Sequence, residues 1–244
     1  MDIHKPKPWH GWRELLKEIG TIVIGVLIAI AFEQTAEWLH WRHKLADADA
    51  AVRFELHDDD LPQAYARLVV RGCLDKRLDA LTAALAADQS REAFARLVKD
   101  YNPPFRTWDT NAWQAMVSSD VLARLTAEEA LHRSQAYNVV PAIGAINVRE
   151  RQDATDLGAL DPRPGPLTAA ERDRAVLALQ RLRIDNLQMF YASVTLLRAG
   201  EDLGVALTEK DKARVISELR PTWGGCLADP QTKAPSLNSQ APLA

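Results

Sequence analysis

Residues Glu18 to Trp38 read EIGTIVIGVLIAIAFEQTAEW, and the fold turns on what that stretch is. Its apolar run starts at Ile19 and breaks at Glu33. Ile19 to Phe32 makes about 14 residues, or roughly 21 Å of helix, against a hydrocarbon core of about 30 Å. Three readings compete: an uncleaved membrane anchor, a cleaved signal peptide, and a buried helix of a soluble protein. The flanks favour the first. Leu15 and Leu16 extend the apolar face backwards, and Lys17 has a stem long enough to carry its ammonium to the interface. Trp9 and Trp12 precede the run, while Trp38 and Trp41 follow it. A helix from Trp12 to Trp41 covers about 43 Å, close to a bilayer with its headgroup layers, so these tryptophans fit two interfacial belts.

A signal peptide has some support. Ala29-Ile30-Ala31 is an A-x-A site, and Lys5, Lys7, Arg13 and Lys17 precede the run. Against cleavage, Glu14 and Glu18 sit in the supposed basic region. The helical pattern also continues through EQTAEWLHWRHKLADADAAVRFEL with no breaker to expose the site as extended chain. The expected organisation is therefore an interfacial amphipathic segment over 1–17, a transmembrane helix over 18–41, a helical domain over 42–220 and an irregular tail over 221–244. The N-terminal flank holds four Lys and Arg residues, against Arg42 and Lys44 on the near C-terminal side. This mild positive-inside bias leaves the N-terminus in the cytoplasm and the larger part outside, in the periplasm of a bacterium.

Composition agrees with a helical domain. The 244 residues are 47% hydrophobic and 26% charged with a net charge of −3, which gives no basic footprint for nucleic acid. Alternating Val, Ile and Thr runs are missing, so the expected class is all-α, a transmembrane helix continuing into an extramembrane helical bundle. The helix leaving the membrane should end near Leu56, with His57-Asp58-Asp59-Asp60 as a solvated acidic terminus. Asp60 then caps a helix that starts with Leu61 and Pro62. Leu68, Leu74, Leu78, Leu81 and Leu85 form the apolar face of that helix. Ser90 caps a short helix to Lys99, and the prolines of YNPPFRTWDT exclude helix there. Thr126 with Glu129 and Thr168 with Glu171 are capping boxes that open two further helices, toward Arg151 and Ala199. Pro141 predicts a kink or restart in the first of them. A last helix runs from Thr208 to near Leu219, and irregular chain is expected from Pro221.

Two cysteines, Cys73 and Cys226, lie far apart and form no CxxC pair. They are either two unrelated buried thiols or one disulfide, and an oxidising compartment outside the membrane favours the disulfide.

The opening stretch and the later TWDTNAWQAMVSSDVLARL together resemble a family of bacterial single-span membrane-anchored proteins, a domain of unknown function. The positions that carry the resemblance are Glu18, Ile19, Gly20, Ile24, Gly25, Leu27, Ile28 and Ala29, then Trp113, Ser118, Ser119, Leu122 and Leu125. Asp120 stands where the family's turn has glycine. The resemblance implies a single-span anchor and a helical periplasmic region, and no activity.

No residue pattern points to catalysis, a cofactor or a metal. Serine, cysteine and histidine occur in no nucleophile spacing, and there is no glycine-rich phosphate loop. His40 and His43 share a helix face, but interfacial anchoring beside Trp41 and Arg42 accounts for them. Two features point to partners instead. Thr21, Gly25, Ala29 and Glu33 recur at four-residue spacing and make one narrow stripe, suited to close approach by another span, its own copy or a larger membrane protein. Tyr101, Phe105, Arg106, Trp108 and Trp113 gather in one irregular segment, as a recognition surface or ligand pocket would, or as a lid over the bundle. The leading expectation is a non-enzymatic accessory, scaffold or sensor subunit of a membrane complex. The alternative is a membrane-tethered small-molecule or lipid-binding domain.

Overall fold

The computed structural model describes residues 11–158 and 164–227. Trp9, Lys5 and Lys7, with the rest of 1–10, and the tail over 228–244 lie outside the described residues. Among the described residues seven α-helices follow in order: α1 (Trp12–Phe54), α2 (Leu61–Ala86), α3 (Arg91–Asp100), α4 (Asn111–Ser118), α5 (Ala127–Gly158), α6 (Ala169–Asp202) and α7 (Glu209–Trp223). No strand occurs among the described residues, so the fold is all-α. The chain divides into two compact units, Met1–Asp49 and Ala50–Ala244.

In the first unit the backbone is one uninterrupted helix from Trp12. It passes through Ala29-Ile30-Ala31 without a break. Among the described residues it is the one helix long and apolar enough to cross a membrane. Its most apolar 18-residue window has a mean hydropathy of 2.2, and none of that window is buried. Ile22, Leu27, Phe32 and their neighbours on every side of the helix face outward.

The second unit is a helical bundle in which α2, α5 and α6 pack together and α3 and α7 close its sides. Leu68, Leu74, Leu78, Leu81 and Leu85 are all buried, as the spacing requires. Leu74, Leu78, Leu81 and Leu85 join Phe94, Val98, Leu157, Leu179, Leu182 and Trp223 in an apolar core. Ser90 accepts from Ala93 N–H at 3.3 Å, and both predicted capping boxes close, with Glu129 Oε2 and Glu171 Oε2 each accepting from its threonine N–H at 2.8 Å. A third box joins Thr208 to Asp211, where aspartate does the work expected of glutamate.

Three boundaries differ from the sequence reading. His57-Asp58-Asp59-Asp60 is not a helix end, because a π-helical turn, Glu55–Asp60, carries the backbone directly into α2. Asp60 has helical backbone angles and caps nothing. The cause lies in the apolar spacing. Val52, Leu56, Leu61 and Tyr65 are all buried, and the five-residue step from Leu56 to Leu61 stays on one face only if the helix widens there. Helix α5 does not restart at Pro141: the proline itself is exposed, while Tyr137, Val140 and Ile143 around it are buried, and that packed face holds the helix across the missing hydrogen bond. Helix α7 continues past Pro221 to Trp223. Trp223 is 3% exposed and lies under the Arg77 guanidinium, 3.9 Å from its ring centre, and this packing holds the last turn.

Cys73 and Cys226 lie at disulfide distance, with Cα atoms 5.6 Å apart. The segment after α7 is thereby drawn against α2, where Cys73 is buried in the core and Leu219 and Leu227 pack over it.

Candidate functional site

The irregular segment between α3 and α4 owes its shape to one buried amide. Asn147, on α5 and 2% exposed, donates from Nδ2 to the Pro104 carbonyl at 3.2 Å. Its Oδ1 accepts from the Arg106 N–H at 3.1 Å and from Trp108 Nε1 at 3.4 Å. The Pro104 carbonyl also accepts from Arg67 Nη1 at 3.3 Å. Two prolines remove local hydrogen bonding, so the segment takes its anchors from α2 and α5 instead. Those anchors continue inward. Arg67 Nη2 meets Glu150 Oε1 at 2.6 Å, and Asn147 Nδ2 approaches Glu150 Oε2 at 3.4 Å. Burial raises the Glu150 carboxyl, against the lowering effect of Arg67 beside it.

This arrangement parts the five residues singled out from the sequence. Tyr101 is 4% exposed and Phe105 is 41% exposed, and both line an open pocket of about 850 Å³ against α3 and α5. Arg106 and Trp108 turn the other way and line a smaller pocket of about 280 Å³ with Arg67 and Arg214. Trp113 joins neither; its ring stacks on Tyr137 with centroids 5.3 Å apart. Tyr137 in turn donates to the Val52 carbonyl at 3.1 Å, so Trp113 is a packing residue. Phe105 is exposed and Trp108 half-buried.

The larger pocket contains residues that the sequence did not advertise. Arg96 and Lys99 come from α3, Arg151 and Asn147 from α5, with Glu92 as the only carboxylate among the lining residues. The Arg151 guanidinium lies 4.2 Å from the centre of the Phe105 ring. Glu92, Arg96 and Lys99 share an α3 face by their spacing of four and three, a pattern visible in REAFARLVKD. That Arg151 faces them depends on the packing of α3 against α5, which no local pattern encodes.

A second missed group is the carboxylate pair on the π turn. Glu55 Oε2 accepts from the Ala112 N–H at 2.8 Å, while Glu55 Oε1 and both Asp60 oxygens have no hydrogen-bond partner among the described residues. Asp60 is 1% exposed, and burial, with Glu55, Asp59 and Asp109 nearby, raises its pKa to about 8.

On α1, Thr21, Gly25, Ala29 and Glu33 are all exposed. The Thr21 hydroxyl donates to the Lys17 carbonyl at 2.9 Å, which hides its polarity within the helix. A Cβ built on Gly25 meets nothing within 4 Å. Beyond the apolar run, Trp38 and Trp41 carry Arg42 and Lys44 over their rings at 5.2 and 5.1 Å.

No protein-family model, curated protein or solved structure matches the chain.

Proposed function

We propose that the chain is a single-pass, membrane-anchored protein of the bacterial inner membrane, and that it acts as a non-enzymatic accessory, scaffold or sensor subunit of a membrane complex. The observation that carries this reading is the α1 window of mean hydropathy 2.2 with no part buried. Water does not tolerate so large an apolar surface on a helix, and a bilayer removes it. The unbroken helix through Ala29-Ile30-Ala31 supports retention of the anchor over its cleavage. The cation–π pairs at Trp38 and Trp41 suit an outer interface, and the excess of Lys and Arg before the run supports a cytoplasmic N-terminus with a periplasmic bundle. Cysteines at disulfide distance fit that oxidising side. The family resemblance of the span points the same way.

Within the bilayer, the Thr21–Gly25–Ala29–Glu33 stripe is the contact surface for a second span, a copy of this one or part of a larger membrane protein. Small residues let two backbones approach, and a carboxylate at the edge of the hydrocarbon gains from a polar partner. The test has two arms. Carbonate extraction of membranes should leave the full chain in the pellet, and recovery in the supernatant would remove the anchor. In a bacterial membrane two-hybrid assay Gly25→Ile should abolish the association shown by the unaltered span. An unchanged signal would remove the stripe and leave the anchor standing.

A further inference from the structure

The anchor reading leaves the larger pocket of the bundle without a task, and its lining is chemically uneven. Its buried part is mostly apolar, with Val98 7% and Leu157 2% exposed beside Tyr101 and the Asn147 amide. Its outer part is cationic, with Arg96, Lys99 and Arg151 all exposed against a single carboxylate, Glu92. Elsewhere in the bundle Arg67, Arg91, Arg149, Arg172, Arg181 and Arg183 each pair with a carboxylate. Arg96, Lys99 and Arg151 have no ion pair among the described residues. Cations placed together without partners repel one another, and an anion seated between them relieves that repulsion. Stacking on Phe105 fixes one of the three, so part of the ordering a ligand would impose on Arg151 is already in place. The volume of about 850 Å³ falls within the range of small-molecule sites, about 300 to 1,000 Å³.

We propose that this pocket binds an amphipathic organic anion, with an acidic head held by Arg96, Lys99 and Arg151 and an apolar body on Val98, Leu157 and Phe105. The head chemistry is shared by two sources, a lipid-derived fatty acid and a soluble aromatic acid. The inference goes beyond the anchor reading and does not depend on the partner of the span.

The experiment uses the full chain in phosphatidylcholine nanodiscs, titrated with 2-naphthoate by fluorescence anisotropy and with octanoate by displacement, empty discs serving as the blank. Each acid is compared with its neutral amide. At least one acid should bind saturably and about ten-fold tighter than its amide, the factor expected for charge-assisted hydrogen bonds. Tighter binding of octanoate assigns the site to lipid-derived acids, and tighter binding of naphthoate assigns it to soluble aromatic ones. Lys99→Gln with Arg151→Gln should weaken the acid about ten-fold or more and leave the amide unchanged, while Glu92→Gln should tighten the acid. If the double variant unfolds, Lys99→Gln alone, at an exposed position, takes its place. Binding of neither acid above the blank, equal binding of acid and amide, or a folded lysine variant with undiminished affinity would each overturn the proposal.

Discussion

Arg67 Nη2 and Glu150 Oε1 meet at 2.6 Å where the two side chains are only 3% and 0% exposed. Such a pair gains its attraction in a medium that also makes each charge expensive to bury, so its two halves are not independent. Arg67→Met should therefore destabilise the bundle by about 3 to 5 kcal/mol, because Glu150 is left buried and unpaired. The double replacement Arg67→Met with Glu150→Leu should recover most of the loss. Urea denaturation of the four proteins in detergent measures this, and additive losses would contradict the coupling.

Asp60 gives stability a dependence on pH. Its pKa is about 8 in the folded chain against an ordinary 3.8. Between those values the folded state holds the proton and the unfolded state does not. The contribution of Asp60 to stability is therefore fully present below the lower value and is lost as pH rises through the window, by up to about 1.4 kcal/mol per unit. Asp60→Asn keeps the shape without the ionisation. Its advantage over the unaltered chain should widen from about pH 5 to about pH 8. Parallel stability curves for the two proteins would show that Asp60 ionises freely.

The cysteine pair closes a loop with a sequence separation of 153. In the chain-entropy model such a closure is worth about 5 kcal/mol. Replacing both cysteines with serine should lower the urea midpoint accordingly and free the segment after α7 for proteolysis. Alkylation before reduction, read by mass spectrometry, should find neither thiol reactive in the protein isolated without reductant.

Gly200 sits on α6 directly over the fully buried Leu61, and a Cβ there would lie 2.8 Å from Leu61 Cδ1. Gly200→Ala gains about 1 kcal/mol of helix propensity but forces about 1 to 3 kcal/mol of overpacking. A net loss is expected, and adding Leu61→Val, which removes one methylene, should restore stability. A more stable single variant would mean that the helices separate easily at this point.

The sequence disclosed those elements whose causes are local. Capping at Ser90, Thr126 and Thr168, the leucine face of α2 and the apolar window of α1 are each set by neighbours within a few turns. The π turn was also legible in principle, since the five-residue step from Leu56 to Leu61 has no other solution on one helix face. The pocket was only half legible. Tyr101 and Phe105 announced themselves as aromatics beside prolines, but Arg151 joins them from α5 by tertiary packing. Pro141 and Pro221 misled for a related reason. A local rule against proline yields when burial on the far side, of Tyr137 and Ile143 in one helix and of Trp223 in the other, meets the cost.

The Asn147 anchor has a consequence for motion. A segment without helix or strand ordinarily exchanges its backbone hydrogens with solvent in step with its own fluctuations. Here the Arg106 N–H donates to a side chain that also touches the Arg67–Glu150 pair. Its exchange should be governed by opening of the bundle centre, so this stretch of irregular chain should show the protection of a helix. One wall of the larger pocket would then be as stiff as the core behind it.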